Sequence, residues 1–99
     1  MVNLHDLYLS NNLITKIEGL DNLVNLKKLD LSYNQITKIE GINRLVYMCR
    51  LYIYNNKITE MNDPSEITSC INLIKLYYDQ NIIMHPIIAR FLNRKKLKK

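Results

Sequence analysis

One stretch of this chain occurs twice with few changes. Residues Leu26–Ile42 read LKKLDLSYNQITKIEGI, and residues Leu4–Leu20 read LHDLYLSNNLITKIEGL. A near-copy of this length in a chain of 99 residues indicates one structural unit that is built more than once. Such units bury their apolar side chains by stacking on one another, so the repeat predicts an elongated array of packed copies.

Two weaker copies follow the first two. The pattern LxxLxLxxNxI recurs around asparagines separated by 22, 22 and 25 residues: Asn12, Asn34, Asn56 and Asn81. The units start at Leu4, Leu26, Met48 and Leu73. Within LxL, apolar and polar residues alternate with the period of a β-strand that has one buried face. We therefore expect four short parallel strands, with each asparagine amide bonding to backbone groups of neighbouring units where the chain turns off its strand.

This pattern resembles the leucine-rich-repeat family over almost the whole chain. The short 22-residue unit is similar to those of phosphatase-1 regulatory subunits, axonemal dynein light chain and the spliceosomal A-prime protein. The resemblance implies an α/β solenoid with four parallel strands on the concave face and short 3₁₀ or α segments on the convex side. From the residues themselves, Ile17 and Ile39 are expected to point inward, and Gly19 and Gly41 to permit tight bends.

The third unit is three residues longer than the others, and the extra residues predict a helix. Asp63 is placed as the N-cap, Pro64 as the first helical residue and Glu66 as a capping-box partner that reaches back to the cap. Ile67 and Ile71 are four residues apart, which predicts that both lie on one helical face.

The two ends of the array differ. Residues 1–85 are interpreted as the repeats, and residues 86–99 as a C-terminal capping helix that starts at Pro86 and ends in a basic tail. The N-terminal unit has no cap in this sequence, which leaves the first strand open and predicts self-association through it. The tail holds six of the fourteen basic residues within the last ten positions.

The exposed columns of the predicted concave sheet are rich in lysine, arginine and tyrosine. Tyrosine and arginine dominate binding hot spots because they combine a large contact area with a polar tip. We therefore expect a protein partner to bind this face, and the basic column favours an acidic partner surface. The predicted binding residues are Lys28, Arg50, Lys75, Tyr8, Asp30, Tyr52, Tyr54 and Tyr77.

The sequence offers little for catalysis. Cys49 and Cys70 belong to no CxxC or Cys/His cluster, and two glycines cannot make a glycine-rich phosphate loop. No nucleophile, base and orienting group come together. We expect no enzyme activity, no metal and no cofactor. No apolar run reaches the length of a membrane span, and a signal peptide is lacking, so a cytoplasmic location is predicted, with the basic tail leaving a nuclear one open.

Three functions remain open at this point. The first is a non-catalytic interaction module or scaffold. The second, implied only by the resemblance, is a regulatory subunit of a phosphatase-1-type enzyme or a cytoskeletal adaptor of the dynein light-chain kind. The third is a ribonucleoprotein component. Direct nucleic-acid binding is disfavoured because the residues before the last ten carry eight basic against nine acidic side chains.

Overall fold

The computed structural model describes residues 3–96. Four three-residue strands form one parallel sheet in the order β1-β2-β3-β5. They are β1 (Asp6–Tyr8), β2 (Lys28–Asp30), β3 (Arg50–Tyr52) and β5 (Lys75–Tyr77). Their middle leucines align across the sheet, with Leu29 and Leu51 wholly buried. The four parallel strands and the solenoid predicted from the LxxLxL pattern are confirmed.

The core lies behind this sheet and is built from the repeated leucines and isoleucines. Ile17 and Ile39 are buried at equivalent places of the first two units, as the sequence predicts. The bends after them place Gly19 at φ +77° and Gly41 at φ +71°. Gly41 packs so closely that a Cβ atom there would lie 2.9 Å from the backbone oxygen of Ile17. The turn of the second unit therefore packs directly against the backbone of the first unit.

The convex side of the first two units consists of successive turns. The backbone N–H of Leu23 donates to the carbonyl of Leu20 at 2.9 Å, and that of Leu26 donates to Leu23 at 3.0 Å. This i→i+3 spacing is that of a 3₁₀ helix, but the turns do not merge into one. A unit of this length leaves room for no more than that.

The longer third unit forms the predicted helix, α1 (Pro64–Thr68), with Asp63 as its N-cap. Two details of the prediction are wrong. Glu66 does not cap its own helix, because its Oε1 accepts the backbone N–H of Ile42 in the preceding unit at 2.9 Å. Ile67 is buried, but Ile71 lies beyond the end of the helix and is 63% exposed.

A second, two-stranded parallel sheet was not predicted. It joins β4 (Glu60–Met61) to β6 (Ile83–Met84), which lie after the asparagine turns of the third and fourth units. The capping helix α2 (Pro86–Arg94) follows directly, with His85 as N-cap and its Nδ1 accepting the N–H of Ile87. Ile88, Phe91 and Leu92 bury the inner face of this helix, which packs against α1.

The basic tail is described only in part. Arg90, Arg94 and Lys96 are exposed, and the Nζ atom of Lys95 lies 5.7 Å from the centre of the Phe91 ring. The last three residues of the tail lie outside the described residues. None of the helices in residues 3–96 has the length and hydropathy needed to cross a bilayer.

Candidate functional site

The outward-facing side chains of the sheet form two columns, because each strand turns its middle leucine into the core. The first residues of the strands pair in register, as do the third residues. Neighbouring strands lie about 4.8 Å apart, so adjacent members of a column are close enough to touch. The first column is Asp6, Lys28, Arg50 and Lys75. The second is Tyr8, Asp30, Tyr52 and Tyr77.

Lys28 is held between two tyrosine rings. Its Nζ atom lies 5.1 Å from the ring centre of Tyr8 and 5.6 Å from that of Tyr52, within the range of cation–π attraction. A side-chain hydrogen bond with Tyr8 raises the pKa of Lys28 above its ordinary value, although desolvation opposes the shift. The ammonium group of Lys28 therefore already interacts with both neighbouring tyrosine rings.

The last two strands of the four-stranded sheet, β3 and β5, carry a stacked pair of tyrosine rings. The rings of Tyr52 and Tyr77 are 4.5 Å apart and nearly parallel, with an angle of 7° between their planes. Beyond the ends of the strands, Tyr33 and Tyr54 meet edge to face with ring centres 5.5 Å apart. Both arrangements are favoured for aromatic pairs and restrict the rings before any partner arrives.

Two of the three acidic side chains near the sheet accept hydrogen bonds from other groups of the protein. Asp30 Oδ1 accepts the backbone N–H of Ser32 at 3.0 Å and the hydroxyl of Ser32 at 2.6 Å. The two carboxylate oxygens of Asp79 accept the backbone N–H of Asn55 at 3.1 and 3.0 Å. Each carboxylate is thereby turned toward protein N–H groups at the end of its strand.

The basic side chains of β3 and β5 are not engaged in this way. Within residues 3–96, neither Arg50 nor Lys75 has an ion pair or a hydrogen bond from its side chain, and both are exposed. The face counts as neutral by sequence, with three basic and three acidic residues among positions 6, 28, 30, 50, 75 and 79. Arg50 and Lys75 are therefore exposed cations on neighbouring strands, while the acidic Asp6 lies next to Lys28 on the other half of the sheet.

Asparagines join the units behind this face. The Asn34 amide donates to Leu9 O of the first unit at 2.9 Å and to Leu31 O of its own unit at 3.0 Å, while its oxygen accepts the N–H of Ile14 at 3.0 Å. Asn56 makes the equivalent bonds one unit later, to Leu31 O and from the N–H of Ile36. These two residues form the inter-unit ladder that the sequence pattern predicts.

The outer two asparagines differ. Asn12 is exposed and bonds only to carbonyls of its own unit, Leu9 O and Ser10 O. Asn81 is exposed, and its side chain has no hydrogen bond to any described residue. The turn differs there: Asn11, Tyr33 and Asn55, which precede the first three asparagines, have a positive φ, whereas the described residue before Asn81, Gln80, does not.

Comparison with known proteins agrees with this geometry. Residues 2–44 match the sequence model of the family described as Leucine Rich repeats (2 copies). An internalin from Listeria monocytogenes superposes on 96% of the chain with a TM-score of 0.77 and 29% sequence identity. The chain has the leucine-rich-repeat fold, and its first two units carry the sequence pattern of that family.

The leucine-rich-repeat chain spans 27% of the length of that internalin chain. No curated protein sequence matches it significantly. The family and the internalin-like fold support a protein-interaction module in general terms, a class that is typically non-catalytic. The narrower subfamily, with its phosphatase-1 and dynein members, is not confirmed.

Besides the second sheet, sequence reasoning missed three features of the leucine-rich-repeat chain. The contact between Glu66 and Ile42 joins residues 24 positions apart in sequence, and no repeat pattern predicts it. The engagement of Asp79 by Asn55 N could have been suspected, because Asp79 replaces the serine found at this position in the first two units. The third feature is a group of exposed apolar side chains beside β3 and β5, considered below. In the part of the chain that is described, no group of three His, Cys, Asp or Glu side chains could hold a metal ion.

Proposed function

We propose that this leucine-rich-repeat chain binds a protein partner through the concave β-sheet, and that the contacting surface of the partner is acidic. The observation that carries the proposal is the unequal pairing of charge on that sheet. Asp30 and Asp79 are satisfied by N–H groups of the protein itself, whereas Arg50 and Lys75 have no partner among residues 3–96. An acidic partner would supply the missing charge and gain in association rate and specificity.

The rigidity of the face supports the same proposal. Tyr52 and Tyr77 are stacked, and Lys28 is held between Tyr8 and Tyr52, so these side chains have lost much of their freedom before binding. Ordering a long side chain at an interface costs roughly 0.5–1.5 kcal/mol. A face that is ordered in advance retains more of its contact energy as affinity.

The test uses the full chain immobilised as bait in native cell extract, with bound proteins read by mass spectrometry. Arg50→Glu with Lys75→Glu reverses the two unpaired charges. Lys16→Glu with Lys38→Glu is the matched control, since both lysines are exposed, lie outside the strands and give the same change in net charge. We expect a protein that is captured by the wild type and the control but lost with the first variant.

Equal capture by all three proteins would contradict the proposal. A thermal melt of each variant shows that any loss of binding is not a loss of fold. The identity of the captured protein also tests the two narrower functions that the sequence analysis left open. A phosphatase or a motor chain would favour the role implied by the resemblance, and an RNA-dependent capture that weakens steeply with salt would favour the ribonucleoprotein role.

A further inference from the structure

A strip of exposed apolar side chains lies at the N-terminal ends of β3 and β5. Its members are Val46, Tyr47, Ile71 and Ile74, which are 38%, 53%, 63% and 56% exposed. Tyr47 and Ile74 stand where the first two units have polar residues, whereas Val46 and Ile71 stand where those units have valine; none of the four belongs to the buried core. Contiguous apolar surface of this kind, rimmed by polar residues, marks interaction sites more often than scattered exposed residues do.

Hydrogen bonds hold the apolar strip together across the two units. Asn72 Nδ2 donates to the carbonyl of Val46 at 3.0 Å, which ties the residue beside Ile71 to the segment that leads into β3. The N–H of Ile74 donates to Cys49 O at 2.7 Å, so the residues directly before the two strands are neighbours. The next residue along each strand is Arg50 or Lys75. The apolar strip therefore adjoins the strands that carry the two cations.

Two members of the apolar strip, Tyr47 and Ile74, have no apolar counterpart beside β1 and β2, whereas Val46 corresponds to the half-buried Val24. At the positions equivalent to Tyr47, the residues that lead into β1 and β2 are Asn3 and Asn25, which bond to each other at 3.2 Å. At the positions equivalent to Cys49 and Ile74 they are His5 and Lys27. The opposite ends of the strands are lined by amides and polar side chains. The exposed Tyr47 and Ile74 and the basic Arg50 and Lys75 are thus found together beside β3 and β5.

We infer that β3, β5 and the apolar strip bind a peptide segment of the partner that carries an aliphatic or aromatic residue next to acidic ones. The inference rests on the proposed function and narrows it to one half of the sheet and one chemistry. Charge complementarity requires the peptide to be acidic, because its carboxylates would lie against Arg50 and Lys75. The apolar side chain would cover Ile71 and Ile74, and desolvation there would strengthen the adjacent ion pairs.

The probe is a phage-displayed library of random twelve-residue peptides, selected on the immobilised full chain. We expect enrichment of sequences that combine at least one aliphatic or aromatic residue with neighbouring aspartate or glutamate. A synthetic peptide from the enriched pool is then titrated by fluorescence polarisation. Failure to enrich any peptide above background, or enrichment of acidic peptides with no apolar preference, would overturn the inference.

Three variants separate the inference from the function on which it rests. Ile71→Ser with Ile74→Ser should weaken peptide binding about tenfold or more, since two apolar contacts are lost. Leu13→Ser is the matched control, because Leu13 is 79% exposed and lies in the first unit, and it should bind as the wild type does. Arg50→Glu with Lys75→Glu should abolish binding. If only the charge variant fails, the proposed function survives without the apolar strip; if the charge variant binds normally, both are wrong.

Discussion

Replacing Asn34 by alanine should destabilise the protein by removing the link between its first two units. The Asn34 side chain is 6% exposed and donates to three carbonyl oxygens while accepting one N–H. The size of the effect depends on which of those four groups would be left without another partner. A buried polar group with no partner costs about 1–3 kcal/mol, whereas one that keeps a bond costs much less.

The structure shows that the three carbonyls keep a second donor. Leu9 O also accepts from the Asn12 amide, Leu31 O from the Asn56 amide, and Ser32 O from the N–H of Asn11. Among the described residues, the N–H of Ile14 has the Asn34 oxygen, at 3.0 Å, as its one acceptor. One half-buried donor is therefore orphaned and a small cavity is left, which together cost about 2 kcal/mol.

The measurement is urea unfolding followed by circular dichroism, supported by a thermal melt. For a domain of this size, about 2 kcal/mol corresponds to a Tm lower by roughly 8–16 °C. Asn12→Ala is the control, because Asn12 is exposed and bonds only within its own unit, and it should change stability by less than about 0.5 kcal/mol. If both variants lose the same small amount, the ladder does not hold the units together and the reasoning is refuted.

A second substitution distinguishes the donor from the acceptor of the amide. Asn34→Asp keeps an oxygen for the N–H of Ile14 but sets a carboxylate against the carbonyls that the amide nitrogen served. We expect it to be at least as destabilising as alanine at neutral pH. A stability close to that of the wild type would show that the donated bonds contribute little.

Three further predictions concern stability and thiol reactivity. Gly41→Ala should lower the free energy of unfolding by about 2 kcal/mol or more, because the residue has a positive φ and its new methyl group would lie 2.9 Å from a backbone oxygen. Gly19→Ala also has a positive φ but meets open space, so it should cost about 1 kcal/mol in the same urea assay. Glu66→Ala should cost about 1–3 kcal/mol of stability, because it leaves the backbone N–H of Ile42 without its acceptor. Glu66→Gln keeps an acceptor oxygen and should lose clearly less stability; equal losses from the two variants would contradict the contact. Burial and the nearby Glu66 carboxylate raise the pKa of the Cys70 thiol to about 11. The unfolded chain loses this proton at a lower pH than the folded protein, so stability should fall as the pH rises from 9 toward 11. A thiol reagent at pH 8 should label Cys49 well before the buried Cys70.

The sequence predicted the sheet well because the repeat states the same local information several times. The spacing of 22 residues places Leu29 and Leu51 in register, and the alternation around them requires one buried face. The helix α1 was predicted for a similar reason, since the Asp63 cap and Pro64 are local signals. Local and repeated signals add up, and tertiary packing did not override them.

The wrong details are those in which a side chain had two acceptable partners. Glu66 could cap its own helix or bond to the second unit, and only the stacking of the units brings the N–H of Ile42 within 2.9 Å. Asn81 has the spacing of a ladder residue, but Gln80 before it lacks the positive φ that Asn11, Tyr33 and Asn55 have before the other asparagines. A one-dimensional pattern carries neither the stacking distance nor the backbone conformation of one turn residue.

The charge of the binding face shows the same limit in a form that bears on function. Counting residues gives a neutral sheet, yet two carboxylates are turned toward N–H groups at the strand ends, and Lys28 is shared between tyrosines. What remains is Arg50 beside Lys75, paired in register on neighbouring strands, and Asp6 on β1 at the other edge of the sheet. Like charges directly across a sheet are unfavourable by up to about 1 kcal/mol. Folding alone gives no reason to keep this repulsion, whereas an acidic ligand laid across both strands would convert it into binding energy.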